Sequence, residues 1–101
     1  MDRSSYPVPH PQAAARVVDG TAVIVLADSG WVKMLNPVGT RIWELADGAH
    51  TIQQIMDVLV DEFQAARPAV EQDVTDFLRE LQEMQALDFQ PHPQAKSRSP
   101  Q

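Results

Sequence analysis

The period of the apolar pattern changes once along this chain, at Asn36. Before it, apolar residues fall in short β-branched runs. After it, they recur at spacings of three and four, which is the period of a helix packed on one side. A chain of 101 residues has room for one small domain. One switch of period within it predicts an α+β fold in which a sheet precedes a helical half.

The sheet half is read from its turns. Val17-Val18 and Thr21–Leu26 flank Asp19-Gly20. Both residues of such a pair tolerate positive φ, as a two-residue hairpin turn requires. Ala27–Gly30 forms a second turn, and Trp31–Leu35 a third strand. The expectation is a three-stranded antiparallel sheet over 16–35, in sequence order. In the helical half, Asn36 can cap a helix that has Pro37 at its first position and Gly48 at its exit. Val38, Ile42 and Leu45 share one face, with Trp43 beside them. Thr51 and Gln54 make a capping box. Ile52, Ile55, Met56, Leu59, Val60 and Phe63 then form a stripe that ends at Ala65–Pro68. A third helix over about 69–85 carries Val70, Val74, Phe77, Leu78, Leu81 and Met84, with Leu87 and Phe89 closing over its end. Two helices joined by a short Pro-containing loop, beside a sheet, make a winged helix-turn-helix-like unit. Residues 1–15, with Pro7, Pro9 and Pro11, read as a flexible arm. Residues 16–89 form the domain, and 90–101 read as a disordered tail.

Composition removes several chemistries. There is no cysteine, so disulfides, thiolate catalysis and cysteine-based metal sites are out. His10, His50 and His92 are far apart and show no HxxxH spacing, so no metal site or cofactor is expected. Gly20, Gly30, Gly39 and Gly48 do not form a phosphate loop. No serine stands with a histidine and an orienting acid. Asp57, Asp61 and Glu62 read as the solvated face of an amphipathic helix rather than a catalytic pair. The chain is expected to be non-enzymatic. No apolar run is long enough to cross a membrane, and the N-terminus has no apolar signal region, so the expected compartment is the cytoplasm.

Net charge is −6. From Ile52 to Phe89 the acids are Asp57, Asp61, Glu62, Glu71, Asp73, Asp76, Glu80, Glu83 and Asp88, against Arg67 and Arg79. A recognition helix for DNA needs cations and amides facing the phosphates. The third helix offers Arg79 among five acids, so a DNA-binding regulator is the weakest reading. Peptide binding fits better. The third strand follows two strands that pair in order, so one of its edges is expected to be free. A free edge is a hazard to be blunted, with Lys33 as the gatekeeper, or a docking place for another strand. In the second case a guest would lie along Trp31, Val32, Lys33, Met34 and Leu35. Its side chains would fall against the third helix, where Asp73, Phe77, Glu80 and Met84 share a flank. Trp31 is expected to be exposed and Trp43 to be core. Phe77 and Met84 suit core and groove equally. The acids of the third helix favour a guest with basic residues, or a basic surface on a protein that docks here.

Several segments in order carry a family resemblance. They are Arg16-Val17-Val18-Asp19-Gly20; Leu35-Asn36-Pro37-Val38-Gly39-Thr40-Arg41-Ile42-Trp43-Glu44-Leu45; Asp47-Gly48-Ala49-His50-Thr51-Ile52; and Asp73–Leu81, ending in Ala86-Leu87. Together, from Arg16 to Phe89, they resemble the PqqD family, the recognition elements for ribosomally made precursor peptides. The resemblance implies a winged helix-turn-helix-like fold of three strands and three helices. It implies a non-catalytic chaperone that binds the leader of a precursor peptide and presents it to a modifying enzyme, often a radical SAM enzyme. It places the leader as an added strand beside 31–35 and against Asp73, Phe77, Glu80 and Met84. Ala86 stands where the family usually has glycine, so a different turn is expected there. An acidic winged-helix module that binds a protein outside peptide modification is the other reading of the same residues.

Overall fold

The computed structural model describes residues 2–93. Strands β1 (Tyr6–Pro9), β2 (Ala13–Val18), β3 (Thr21–Leu26) and β4 (Val32–Met34) are followed by helices α1 (Pro37–Leu45), α2 (Ile52–Phe63) and α3 (Arg67–Glu83), then β5 (Leu87–Gln90). The sheet β2-β3-β4 is antiparallel in sequence order. Ala22, Ile24 and Leu26 of its central strand share one core with all three helices, and the expected α+β, winged helix-turn-helix-like architecture is present.

The local signals act where the sequence puts them. Asp19 and Gly20 take φ of 53° and 78°, and Val18 pairs with Thr21 across them. Asn36 Oδ1 accepts from Gly39 N–H at 2.7 Å, which caps α1. Thr51 and Gln54 satisfy each other's backbone N–H groups at the start of α2. Ile24 and Leu26 of β3 join Ile42, Ile55, Met56, Leu59, Val74, Leu78 and Leu81 in one buried core. Trp43 belongs to that core, whereas Trp31 is 66% exposed. Phe63, expected in the α2 stripe, is exposed. The helix ends there on Gln64 in the left-handed conformation, and the chain turns away before Phe63 is covered.

The arm differs from expectation. Residues 6–9 are strand β1, paired antiparallel with β5 in a second, two-stranded sheet. Proline lacks an N–H, but its carbonyl still accepts. Pro7 is fully buried, and its carbonyl takes the Gly48 N–H at 3.0 Å. The carbonyls of Ser5 and Arg3 take the N–H groups of Ile52 and Gln53. These would otherwise be free donors in the first turn of α2. Residues 3–9 are therefore a strap tied to β5, to the start of α2 and to Gly48. Strand β2 also starts three residues before Arg16, because Ala13–Ala15 pair with Ile24–Leu26. At the other end, Leu87 and Phe89 form β5 rather than loose cover, and Gln90 belongs to it. Residues 91–93 of the expected tail follow without helix or strand, and the part from 94 onward lies outside the described residues.

The Ala86 position has a physical account. Ala86 N–H donates to Leu81 O at 2.9 Å, and Gln85 N–H to Gln82 O at 3.0 Å. This pair of bonds is the Schellman closure of a helix. The left-handed residue it needs is Gln85, with φ 62°. Ala86 itself lies outside the left-handed region and is fully buried, so its position requires no glycine.

Candidate functional site

Strand β4 forms the sheet margin, and the hydrogen-bond pattern fixes what it exposes. Leu26 N–H donates to Trp31 O, and Leu35 N–H donates to Ala22 O, both at 2.9 Å. Ile24 faces Lys33 between them. These are the bonded pairs of the ladder, and antiparallel pairing alternates. The N–H and C=O of Val32 and Met34 therefore point away from β3, along an edge that no described element covers. The strap formed by β1 lies on β5, not here.

Side chains alternate as well. Trp31, Lys33 and Leu35 share the helix-facing side of the sheet. Val32 and Met34 share the outer side and are exposed. Lys33 does not project along the edge. Its ammonium reaches across to α3 and meets Glu80 Oε2 at 2.7 Å, with the Lys33 side chain 25% exposed. No charged side chain points outward along this edge, and its protection against chance pairing is its three-residue length and the inward turn of Lys33.

A groove of about 630 Å³ lies between this edge and α3, lined by Leu26, Ser29, Trp31, Val32, Lys33, Met34, Glu80 and Met84. A second cavity of about 320 Å³ continues from Glu80 toward α1, lined by Asn36, Val38, Gly39, Ile42, Asp73, Asp76 and Phe77. Asp73, Phe77, Glu80 and Met84 recur at helical spacing along one flank of α3, so a single helix face walls both cavities. Phe77 and Met84 are half-buried, touching the core and lining the grooves at once.

Of the residues singled out from sequence, Trp31, Val32, Lys33, Met34, Glu80 and Met84 meet in the first cavity, and Asp73, Phe77 and Glu80 in the second. Leu35 does not join them. It is 4% exposed, and its N–H is already bonded to Ala22. Two residues went unnoticed as shapers of the site. Gly39 packs under Phe77, where a Cβ would stand 3.0 Å from the ring. Asp76 lines the second cavity beside Asp73. The Asn-x-x-Gly spacing was a usable signal for Gly39, because a residue buried against a ring cannot be seen from helix periodicity alone. Among the described residues, no group of three or more His, Asp or Glu side chains is placed to hold a metal ion. No described helix is long and apolar enough to cross a membrane.

Solved structures share this fold. The structure is similar to that of TbiB1 in complex with the TbiA(beta) leader peptide, with 30% sequence identity, a TM-score of 0.76, and coverage of 80% of this chain and 94% of that one. It is also similar in fold to lasso peptide synthetase B1 complexed with the leader peptide, at 19% identity and a TM-score of 0.75, covering 82% of this chain and 98% of that one. Comparison with curated proteins gave no match. The family model for coenzyme PQQ synthesis protein D (PqqD) matches residues 21–87, from the first residue of β3 to the first of β5. That span contains the open strand, both cavities and all three helices, and the chain belongs to the PqqD family.

Proposed function

We propose that this protein binds the leader segment of a ribosomally made precursor peptide by strand addition on the β4 edge, without catalysis, and presents it to a modifying enzyme. The observation that carries this reading is the pair of outward backbone positions, Val32 and Met34, beside the groove against α3. Two relatives of similar fold are described in complex with leader peptides, and this supports the same occupant here. Each backbone hydrogen bond contributes ~0.5–1.5 kcal/mol net. Ordering a flexible leader costs several kcal/mol in return, so micromolar affinity is expected. A radical SAM enzyme is the partner to try first, because the family resemblance points to one.

The test is a titration of a candidate leader into isotope-labelled protein. Amide shifts should concentrate at 31–35 and on the α3 flank; shifts confined elsewhere would refute the site. Met34→Pro supplies the sharper arm. The Met34 N–H faces away from β3, so proline there removes no bond of the sheet. The variant should keep its fold, seen as an unchanged spectrum outside β4, and lose leader binding by tenfold or more. Full binding by the folded variant would mean that the edge is not the dock.

A further inference from the structure

We propose that the groove selects its guest by two inward side chains four residues apart: an apolar one at the Trp31–Met84 end and a basic one at the Asp73–Asp76 end. This rests on strand addition at β4.

A guest paired to β4 turns every second side chain toward α3. The inward guest positions stand beside Trp31, Lys33 and Leu35, and the outer two are about 13 Å apart at ~3.3 Å per residue. From Asp73 to Met84, α3 runs about 16 Å at ~1.5 Å per residue. The wall and the guest thus match in length, and three inward side chains have a place.

The three places differ in chemistry. At one end Leu26, Trp31 and Met84 offer apolar surface. In the middle, Lys33 and Glu80 answer each other at 2.7 Å and present little net charge. At the far end Val38 and Phe77 make a floor, and Asp73 and Asp76 line the same cavity. Asp76 accepts a hydrogen bond from Gln72 Nε2 at 2.9 Å. Unlike Glu80, neither Asp73 nor Asp76 holds an ion pair among the described residues. A long basic side chain lays its methylenes on Phe77 and its charge on these carboxylates. An acidic one meets like charge there. Lys33 is the one cation lining either cavity, and it is already engaged. The net charge of −6 adds to the same preference at longer range.

The experiment uses the full chain, isotope-labelled, and a set of synthetic Ser/Thr-rich peptides. Each carries one Leu and, four residues away, Lys, Gln or Glu, in both sequence orders. In one order, the Lys peptide should bind about fivefold more tightly than Gln, and Gln more tightly than Glu, at low salt, since exposed pairs contribute modestly. The Val32 and Met34 amides should move in each case, and 0.5 M salt should compress the series. The double variant Asp73→Lys/Asp76→Lys should invert the order. Asp73→Asn/Asp76→Asn, which leaves both exposed sites uncharged, should remove most of the difference between Lys and Gln, leaving only the small part owed to net charge. Equal affinities for all three peptides, with shifts at Val32 and Met34, would overturn this proposal and leave strand addition standing. No shift at those amides with any peptide would overturn both.

Discussion

Thr40 sits where the sheet runs out of partners. Leu35 N–H donates to Ala22 O, but the Ala22 N–H is taken by the Thr40 hydroxyl at 2.9 Å, because the chain has already turned into α1. Both residues are buried. Thr40→Val keeps the shape and strands that N–H, at a cost of about 1–3 kcal/mol; denaturant unfolding should show it as a lower midpoint with an unchanged slope. Gly39 calls for a different experiment. Its Cβ would stand 3.0 Å from the Phe77 ring and 3.2 Å from Asn36 Oδ1. Alanine gains about 1 kcal/mol of helix propensity over glycine, which offsets part of the crowding. Gly39→Ala should therefore change stability little and displace the Phe77 ring into the second cavity. Altered ring-proton shifts, with a several-fold weaker leader affinity, are the expected signature. An unmoved ring would show that the backbone of α1 gives instead. The Leu-Asn-Pro-Val-Gly-Thr block is thus explained residue by residue: a cap at Asn36, a packing gap at Gly39, and a hydrogen bond at Thr40 that closes the sheet.

At the scale of elements, α3 is both core and groove wall. Val70, Val74, Leu78 and Leu81 face inward, while Phe77 and Met84 sit at the boundary. Its C-terminal closure depends on Gln85 in the left-handed region, where a side chain costs about 1–2 kcal/mol. The Gln85 backbone carbonyl accepts from Gln12 Nε2, a bond that survives loss of the side chain. Gln85→Gly should raise stability by about 0.5–1 kcal/mol after the entropy gained by the unfolded chain is subtracted; a thermal midpoint that falls would show that the Gln85 side chain has a structural role. The strap β1 pairs with β5 in a sheet separate from the one that carries the open edge. It satisfies the start of α2 and covers β5, and so the fold is closed without using β4.

At the scale of the whole molecule, surface charge ties the elements together and sets the acid limit. Arg41 holds Glu62 through two hydrogen bonds, 2.8 and 2.7 Å, joining α1 to α2. Its guanidinium lowers the Glu62 carboxyl below the ordinary value of 4.5. Gln53 and then Arg67 lower Asp57 below 3.8. Burial acts to raise Asp47, but hydrogen bonds from His50 and the Ala49 N–H more than reverse it, and its carboxyl is lowered too. A carboxyl that is lowered in the folded state contributes stability above its unfolded value, and that stability is lost as pH falls through the folded one. The unfolding midpoint should therefore be flat near neutrality and decline as pH is taken below about 4.5. Replacing Arg41 with Met should flatten the first part of that decline; an unchanged profile would mean that the pair is too well solvated to matter.

The sequence by itself determined everything that depends on neighbours along the chain. The hairpin at Asp19-Gly20, the caps at Asn36 and Thr51, the three helices and the α3 flank of Asp73, Phe77, Glu80 and Met84 are local in origin, since period and turn chemistry act over a few residues. Only the tertiary structure decided the strap and the burial of Leu35. The partner strand of Tyr6–Pro9 lies some eighty residues away, and prolines give a strand no local signal. Tertiary structure also decided that Lys33 leaves the edge for Glu80, and that one helix face serves two cavities. These depend on how a sheet and a helix approach each other, a distance that no local pattern encodes.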